Sequence, residues 1–503
     1  MVRCWQHWLA AVGGVLVLLA LTRVPLSLKY LYYFDSVNFA LAMEEFNPGL
    51  HQPQPPGYPL HVFFIRLVHL AISREEHVFL AAGILASAAA VLLLWWLGTT
   101  MFSSRAGLAA AVVLLLNPAF WLACLSNQVR LWLAVAGSAV ALACWRSVQQ
   151  PGCWKAFAAA CAALGLLSGF RPALLVFLLP LIVYTGWAAR LAVRHWMTGL
   201  LALAFGVSCW LPYTIGASGG LAAYVQLIRT YSQQEFQTTS LLFGAAAGSA
   251  GMMLRAALVW NGYGALSWVW ALPVWRRTFP ERFGANRLWL LSVWFLPAFL
   301  FHAVVHVGDA DQTLITIPVL CLIGGVTVAE LSRRLTREGW AISLGLVATL
   351  NALLFFLPSH GVVAATNYGI VRYVDDTTRQ TFEAIDKLRS SGPITLVWHQ
   401  NFVTWRHLSY YYPDVPLFVL REDYRGAADP AQALLIRNRR TMRAPLADGR
   451  IVLPAGKRIV WLLPPGVELS EELGARPKGP VQHMKPASGG EFTFGSYRFT
   501  TGT

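Results

Sequence analysis

Charge is scarce in this chain. Of 503 residues only 13% are Asp, Glu, Lys or Arg, about half the share of an ordinary soluble protein, which excludes a cytosolic enzyme and a disordered scaffold alike. Acids are the rarer sign, 24 against 39 basic residues. The seven cysteines all fall between Cys4 and Cys321, so the last third of the chain has none and no secreted disulfide module is encoded. No Cys-x-x-Cys pair or Cys/His cluster has zinc spacing. Short internal repeats and low-complexity linkers are missing as well.

What the chain has instead is apolar sequence. Hydrophobic residues make up 56% of it, the mean hydropathy is +0.52, and runs of spanning length recur near 8–22, 77–98, 106–125, 128–145, 155–170, 171–189, 197–214, 258–275, 288–307, 312–330 and 339–357. These runs predict a polytopic α-helical membrane protein with about eleven transmembrane helices. The first follows Arg3 and has no small-residue cleavage site behind it, which reads as a retained signal anchor. With the N-terminus in the cytoplasm, the inside segments carry thirteen basic residues against three acids, and the outside segments before residue 358 carry eight of each. Basic residues collect on the cytoplasmic side, so the N-terminus is placed inside and, with an odd span count, the C-terminus outside. The net charge of +15 is then topogenic, and no nucleic-acid partner is called for.

This divides the chain into a transmembrane domain, 1–357, with outer loops 29–76 and 215–257, and an extracytoplasmic domain, 358–503. In the second loop Ser218-Gly219-Gly220 is followed by amphipathic pieces suited to the membrane interface. Beyond 358 the hydropathy falls. The runs 394–398 and 459–463 read as strands and 377–390 has helical spacing, so this part is a small α/β domain.

The first outer loop is the most informative segment. In Tyr33-Phe34-Asp35-Ser36-Val37-Asn38-Phe39, a helix would put Asp35, Asn38 and Phe39 on one face. An acid at a membrane surface beside apolar residues is placed to act as a general base; the plainer alternative is a helix cap or a solvated acid. Next comes His51-Gln52-Pro53-Gln54-Pro55-Pro56-Gly57-Tyr58-Pro59. Its prolines stiffen and kink the chain, which makes either a rigid pocket wall or only a helix-breaking turn before an interfacial helix with Arg66 and His69.

Together, at this spacing, the two pieces resemble the first outer loop of the GT-C glycosyltransferases, multi-spanning enzymes that use polyprenyl-phosphate sugars. The resemblance is to the protein O-mannosyltransferase and lipid A aminoarabinose transferase branch, and closer still to a bacterial relative with an Asp-Ser-x-x-Phe start and a His-x-Pro-x-Pro-Pro-Gly-Tyr-Pro signature. It covers residues 8–360 in layout, with specific motifs over 30–72 and weaker ones over 165–180 and 295–318. It implies Asp35 at the catalytic centre as base, and His51, Pro55, Pro56, Gly57 and Tyr58 shaping the site. Gly165-Leu166-Leu167-Ser168-Gly169-Phe170-Arg171-Pro172 looks like the family's glycine-rich turn, and His302 to Gln312 occupies the place of a late polar loop facing the donor. One departure stands out. Many relatives carry a second acid just behind the first, where this chain has Val37-Asn38. A divalent cation, which needs two or more oxygen ligands, is therefore left open and no cofactor is assigned. Asp309 and Asp311 remain as ligands for it or as a polar turn.

Other residues have a job and a bland rival. Arg171 is a donor-phosphate ligand or a snorkelling arginine. His302 and His306, one turn apart, bind phosphate, relay a proton or bond a neighbouring helix. Arg130 starts a span near the outer face, a place from which it could face the donor site. Trp405-Arg406-His407-Leu408-Ser409-Tyr410-Tyr411-Tyr412-Pro413 reads as an aromatic hairpin on the domain core before it reads as a glycan contact. The expectation is a bacterial inner-membrane glycosyltransferase of the cell envelope. It takes a sugar from undecaprenyl phosphate and gives it to a hydroxyl of a glycan, lipid or protein acceptor. The alternative is a lipid-linked sugar translocator or a non-catalytic envelope assembly protein.

Overall fold

The computed structural model describes residues 2–126, 129–237, 240–243, 247–274, 282–333, 337–421, 432–469, 479–485 and 489–502. The chain packs as two compact units, Met1–Lys29 with Asn38–Arg372, and Tyr30–Val37 with Tyr373–Thr503.

The first unit is helical. Its elements are α1 (Val2–Arg23), α2 (Phe34–Glu44, whose first turn belongs to the second unit), α3 (Pro59–His69), α4 (Glu75–Met101), α5 (Ser104–Leu115), α6 (Pro118–Leu125), α7 (Leu131–Gln149), α8 (Trp154–Leu167), α9 (Ala173–Ala188), α10 (Val193–Ser208), α11 (Leu211–Ala217), α12 (Leu221–Gln237), α13 (Ala247–Gly262), α14 (Ala285–Val304), α15 (Ile317–Arg333) and α16 (Arg337–Phe356). Among the described residues, six helices are long and apolar enough to cross a membrane: Trp8–Leu26, Glu75–Met101, Leu131–Gln149, Val193–Ala217, Ala285–Val304 and Glu338–Phe356. The pair α5 and α6, bent by 54°, makes a seventh if counted as one span, and Trp154–Leu167, Ala173–Ala188 and Ile317–Leu331 are shorter apolar helices. This is a multi-pass membrane protein.

The bend between α5 and α6 has a local cause. Asn117 and Pro118 interrupt the helix, and Asn117 Oδ1 accepts from Ala119 N–H at 3.0 Å and Phe120 N–H at 3.3 Å, starting α6 afresh. The buried Arg23 answers the exposed end of α5: its Nη2 donates to Leu115 O at 2.5 Å and its guanidinium lies 3.9 Å from the Trp121 ring centroid. A cation at a helix C-terminus meets the negative end of the helix dipole. Close packing elsewhere rests on small residues. A Cβ on Gly98 in α4 would sit 2.7 Å from Gly107 Cα in α5.

The structure departs from the expected span over 258–275. Helix α13 ends at Gly262, and the chain goes on to a 3-10 turn, Val269–Val274. Asn261 Oδ1 accepts from the Thr316 hydroxyl and Gly264 N–H closes a turn on Asn261 O, so the helix stops where its side chains are spent on α15's entry. Much of 215–257 is helical, as α11, α12 and the start of α13.

The second unit contains α17 (Tyr368–Ser390) from Tyr373 onward, α18 (Trp405–Tyr411) and strands β1 (Ile394–Trp398), β2 (Leu417–Val419), β3 (Leu434–Arg437), β4 (Arg440–Arg443), β5 (Leu446–Ala447), β6 (Arg450–Leu453), β7 (Arg458–Leu462), β8 (Val481–Met484), β9 (Glu491–Phe494) and β10 (Tyr497–Thr501). They form a six-stranded sheet in the order β4-β3-β2-β1-β7-β8 and a four-stranded sheet in the order β5-β6-β10-β9. The central pairs β1–β2 and β1–β7 are parallel. Alternation in β1 and β7 sends Leu396, Val460 and Leu462 to the face covered by Phe382 and Ile385 of α17 and Leu408 of α18. Val397, Ile459 and Trp461 go to the other face, against Ile451, Tyr497 and Phe499 of the smaller sheet. The expected α/β tail is present. The expected aromatic hairpin at 405–413 is not: Thr404 stands in the N-cap position with extended backbone and Trp405–Tyr411 is a helix. Its spacing places His407 and Leu408 inward, and burial decided the outcome over the β propensity of its tyrosines.

Candidate functional site

In the membrane unit the proline-rich segment is a built corner. Asn47 and Gln52 pair backbone to backbone, Gln52 N–H reaching Asn47 O at 3.0 Å. The Gln52-Pro53 and Pro55-Pro56 peptide bonds are cis, and His51 and Tyr58 hold left-handed backbone at φ 56° and 61°. Non-glycine residues rarely accept that region, at about 1–2 kcal/mol each, and here the flanking prolines fix both turns. Gly57 has φ 122°, and a Cβ there would lie 2.9 Å from Thr214 Cγ2. Pro59 then opens α3 at its first position, where a missing N–H costs nothing.

Helix α3 joins this corner to the glycine-rich turn. Leu60 N–H donates to Gly169 O at 3.1 Å, Phe170 stacks on Trp132 of α7 at 3.7 Å, and Arg171 follows. Further along α3, Arg66 donates to Ala42 O at 2.8 Å and Met43 O at 2.9 Å, capping the last turn of α2. A groove of about 320 Å³ runs beside α3, with Phe46, Phe63, Arg66, Trp210 and Tyr213 in its walls.

Charged groups meet at the start of α7 and the end of α14. Arg130 Nη2 lies 3.2 Å from Asp309 Oδ2, and its Nε lies 3.7 Å from Asp311 Oδ1. The Arg130 and Asp311 side chains are 8% and 3% exposed, whereas Asp309 keeps 37%. His302 is buried in the last turn of α14, within electrostatic reach of Arg171 and His306. His306 does not continue that helix face, as the sequence spacing predicted. Val305 and His306 both turn their N–H groups back to Phe301 O, closing the helix at Val304. Burial first, then the Arg130 and Arg171 guanidiniums, holds the His306 imidazole down to about 4, with Asp309 acting in the opposite sense. At neutral pH it is an uncharged hydrogen-bonding group.

Helix α12 lies across both clusters. Tyr224 Oη donates to Pro56 O at 3.0 Å, the Tyr231 ring meets His51 at 6.0 Å, and Phe236 meets His306 at 5.8 Å. Between these contacts sits Glu235. Its carboxyl is raised above the usual range by burial, and Arg130 and Asp309 act on it in opposite senses. The sequence reading missed Glu235 because it lies in a stretch taken for loop. The seven-residue spacing of Tyr224 and Tyr231 was the available signal of a helix there. Thus His51, Arg130, Arg171, His302, His306 and Asp309 fall into one connected region of this unit, together with Pro56, Gly57 and Tyr58. Asn127 and Gln128, next to Arg130, lie outside the described residues.

Asp35 groups with the second unit. It occupies the first turn of α2, where a carboxylate faces the positive end of the helix dipole. The turn is closed by Val37 N–H on Tyr33 O at 3.2 Å and by Tyr33 N–H on Ser36 Oγ at 3.3 Å, one half of a capping box. Beside it the Phe34 ring packs edge-on to Trp405 at 5.6 Å, and the Arg406 guanidinium lies 5.8 Å from that ring. Among the described residues no three His, Cys, Asp or Glu side chains gather as a metal ion would require.

The fold is ArnT-like. Residues 52–215 match the family described as dolichyl-phosphate-mannose-protein mannosyltransferase, and that stretch contains Gln52 to Pro59 of the corner, Arg130 and Arg171. Among solved structures the chain is similar to ArnT from Cupriavidus metallidurans bound to undecaprenyl phosphate. The identity is 15%, the TM-score 0.59, and the match covers 83% of this chain and 86% of that one. The apo structure of the same protein matches at 15% identity and TM-score 0.54, covering 84% of this chain and 87% of that one. No curated protein matches the chain by sequence.

Proposed function

We propose that this protein is a membrane glycosyltransferase of the GT-C type, taking a sugar from a polyprenyl-phosphate carrier and giving it to an acceptor hydroxyl. The observation that carries the reading is the family match over 52–215, which falls on the corner and on the two arginines that the site is built from. The fold likeness to a protein solved with undecaprenyl phosphate supports a carrier lipid of that kind. The apolar groove along α3, with Arg66 in its wall, suits an isoprenoid chain.

In this mechanism Asp35 takes the proton of the acceptor hydroxyl as that oxygen bonds to the anomeric carbon. The bond from that carbon to the phosphate oxygen breaks, and the carrier leaves as its phosphate. Arg171 offsets the charge growing on the phosphate. His302 and His306 serve as hydrogen-bonding groups beside it, and His51, Pro55, Pro56, Gly57 and Tyr58 shape the wall. Arg130 is shared with Asp309 and Asp311, so its part is to hold the two carboxylates in place. In this reading the reaction runs on the outer face of a bacterial inner membrane, an orientation supported by the excess of basic residues in the expected cytoplasmic segments.

The test is transfer or hydrolysis from radiolabelled undecaprenyl-phosphate mannose and glucose, with purified wild type and Asp35→Asn side by side in lipid nanodiscs. Turnover by the wild type that is lost in the variant supports the class and the base. Full activity in Asp35→Asn would remove Asp35 as the base. Carrier binding without turnover, equal in both, points to a translocator or scaffold.

A further inference from the structure

The chemistry above uses Asp35 but none of the residues that fix its position. The segment before it, Tyr30 to Tyr33, links a membrane span to a short helix, and such a link pivots unless its backbone is held. Here side chains from far along the chain hold it. Tyr30 N–H donates to Asp375 Oδ1 at 3.3 Å. Leu31 N–H donates to Tyr411 Oη at 3.0 Å, and Leu31 O accepts from His407 Nε2 at 2.9 Å. Both backbone polar groups of Leu31 are thus taken by one face of α18.

The His407 bond has a fixed sense. A carbonyl only accepts, so Nε2 carries the proton, and Nδ1 is left to accept from the Thr404 hydroxyl at 2.8 Å. His407 is 3% exposed, so no water competes for either nitrogen. Ring contacts extend the grip, with Tyr30 against Phe382 at 5.1 Å and Tyr411 at 5.8 Å. From Leu31 to Asp35 the chain passes into the closed first turn of α2. A shift at Leu31 therefore carries through to the carboxylate.

We infer that His407 and Tyr411 are positioning residues for Asp35, clamping Leu31 so that the C-terminal unit sets where the acid points. This rests on Asp35 being the base. The C-terminal unit is then a working part of the catalytic apparatus. Neither clamp residue touches the reacting atoms.

The experiment uses the full chain in nanodiscs with three variants. Tyr411→Phe removes a single hydroxyl and leaves the ring, His407→Phe removes both imidazole bonds, and His407→Gln keeps a side-chain N–H donor. Hydrogen exchange is read on peptides covering residues 28–37, and turnover on undecaprenyl-phosphate mannose and glucose. Tyr411→Phe and His407→Phe are expected to speed exchange there and lower kcat by roughly 10- to 100-fold, the cost of a catalytic group about 1 Å out of place, with KM within about twofold. His407→Gln restores most of the rate. A melting scan identifies a His407→Phe protein that has merely unfolded, and Tyr411→Phe then carries the decision. Unchanged exchange, or faster exchange with unchanged kcat, overturns the inference. Asp35→Asn is run alongside. If it is inactive while Tyr411→Phe is fully active, only the positioning role fails. If Asp35→Asn is fully active, the base assignment has failed and the inference falls with it.

Discussion

Arg130 reaches across 179 residues of sequence to Asp309, Nη2 to Oδ2 at 3.2 Å, and on its other edge to the buried Asp311. The two acids are unequal partners, because one is sheltered and the other is a third exposed. Removing one partner of a buried pair strands a charge and costs about 3–5 kcal/mol, whereas an exposed pair contributes about 1 kcal/mol or less. Asp311→Ala is expected to lower the melting temperature in nanodiscs far more than Asp309→Ala. Equal losses would mean that Arg130 does not depend on the buried carboxylate.

Glu235 gives a pH signature. Its carboxyl is raised in the folded protein by burial. As pH rises past the ordinary carboxylate range, the unfolded chain releases a proton that the native state retains. Stability contributed by the protonated group is full at low pH and is lost as pH climbs through the raised value. Glu235→Gln is expected to melt at a temperature less dependent on pH above about 4.5 than wild type does. Parallel curves for the two proteins would contradict this.

His407 has the opposite sign. Burial pushes its imidazole from 6.5 down to about 4 in the folded protein, with the bond to Leu31 O acting against that shift. Below pH 6.5 the unfolded chain takes up a proton that the native state refuses. Stability is full above that pH and falls as pH drops towards about 4, by roughly 3 kcal/mol in all. Amide protection in β1, followed by hydrogen exchange between pH 7.5 and 4.5, should weaken in wild type and weaken less in His407→Gln.

Gly57 is a backbone test of the corner. Its φ of 122° and the 2.9 Å approach to Thr214 make Gly57→Ala strained twice over, at roughly 1–3 kcal/mol for the backbone alone. Thr214→Ser in the same chain relieves the contact and not the dihedral. The double variant is expected to recover part of the lost melting temperature and little of the lost turnover. Full recovery of both would place the whole cost in the methyl contact.

The parts visible in the sequence were those with local causes. Apolar β-branched runs announced β1 and β7, whereas the helix that puts Asp35, Asn38 and Phe39 on one face was only a condition in the sequence, met by α2. The prolines announced a corner, although not its left-handed residues. Contacts made across long separations left no local trace. Arg130 was noticed at the start of a span, yet its partners lie beyond residue 300. Glu235 was hidden in a polar stretch. The clamp on Leu31 uses backbone groups that every residue possesses, so no side chain in that segment advertises it. At 405–412 three tyrosines and a tryptophan misled, since aromatic content favours strands until burial is weighed.

The Leu31–His407 bond joins residues 376 positions apart, and a ribosome makes them in that order. At ordinary translation rates of about 5–20 residues per second, roughly half a minute separates the emergence of the acid-bearing segment from that of the helix that grips it. Through that interval the remaining spans are made one after another, while Asp35 is present but unaimed. A chain cut short anywhere before Trp405 lacks both α18 side chains that bond Leu31, and under the proposed clamp its acid stays unaimed until the last part of the polypeptide has folded back onto one of the first.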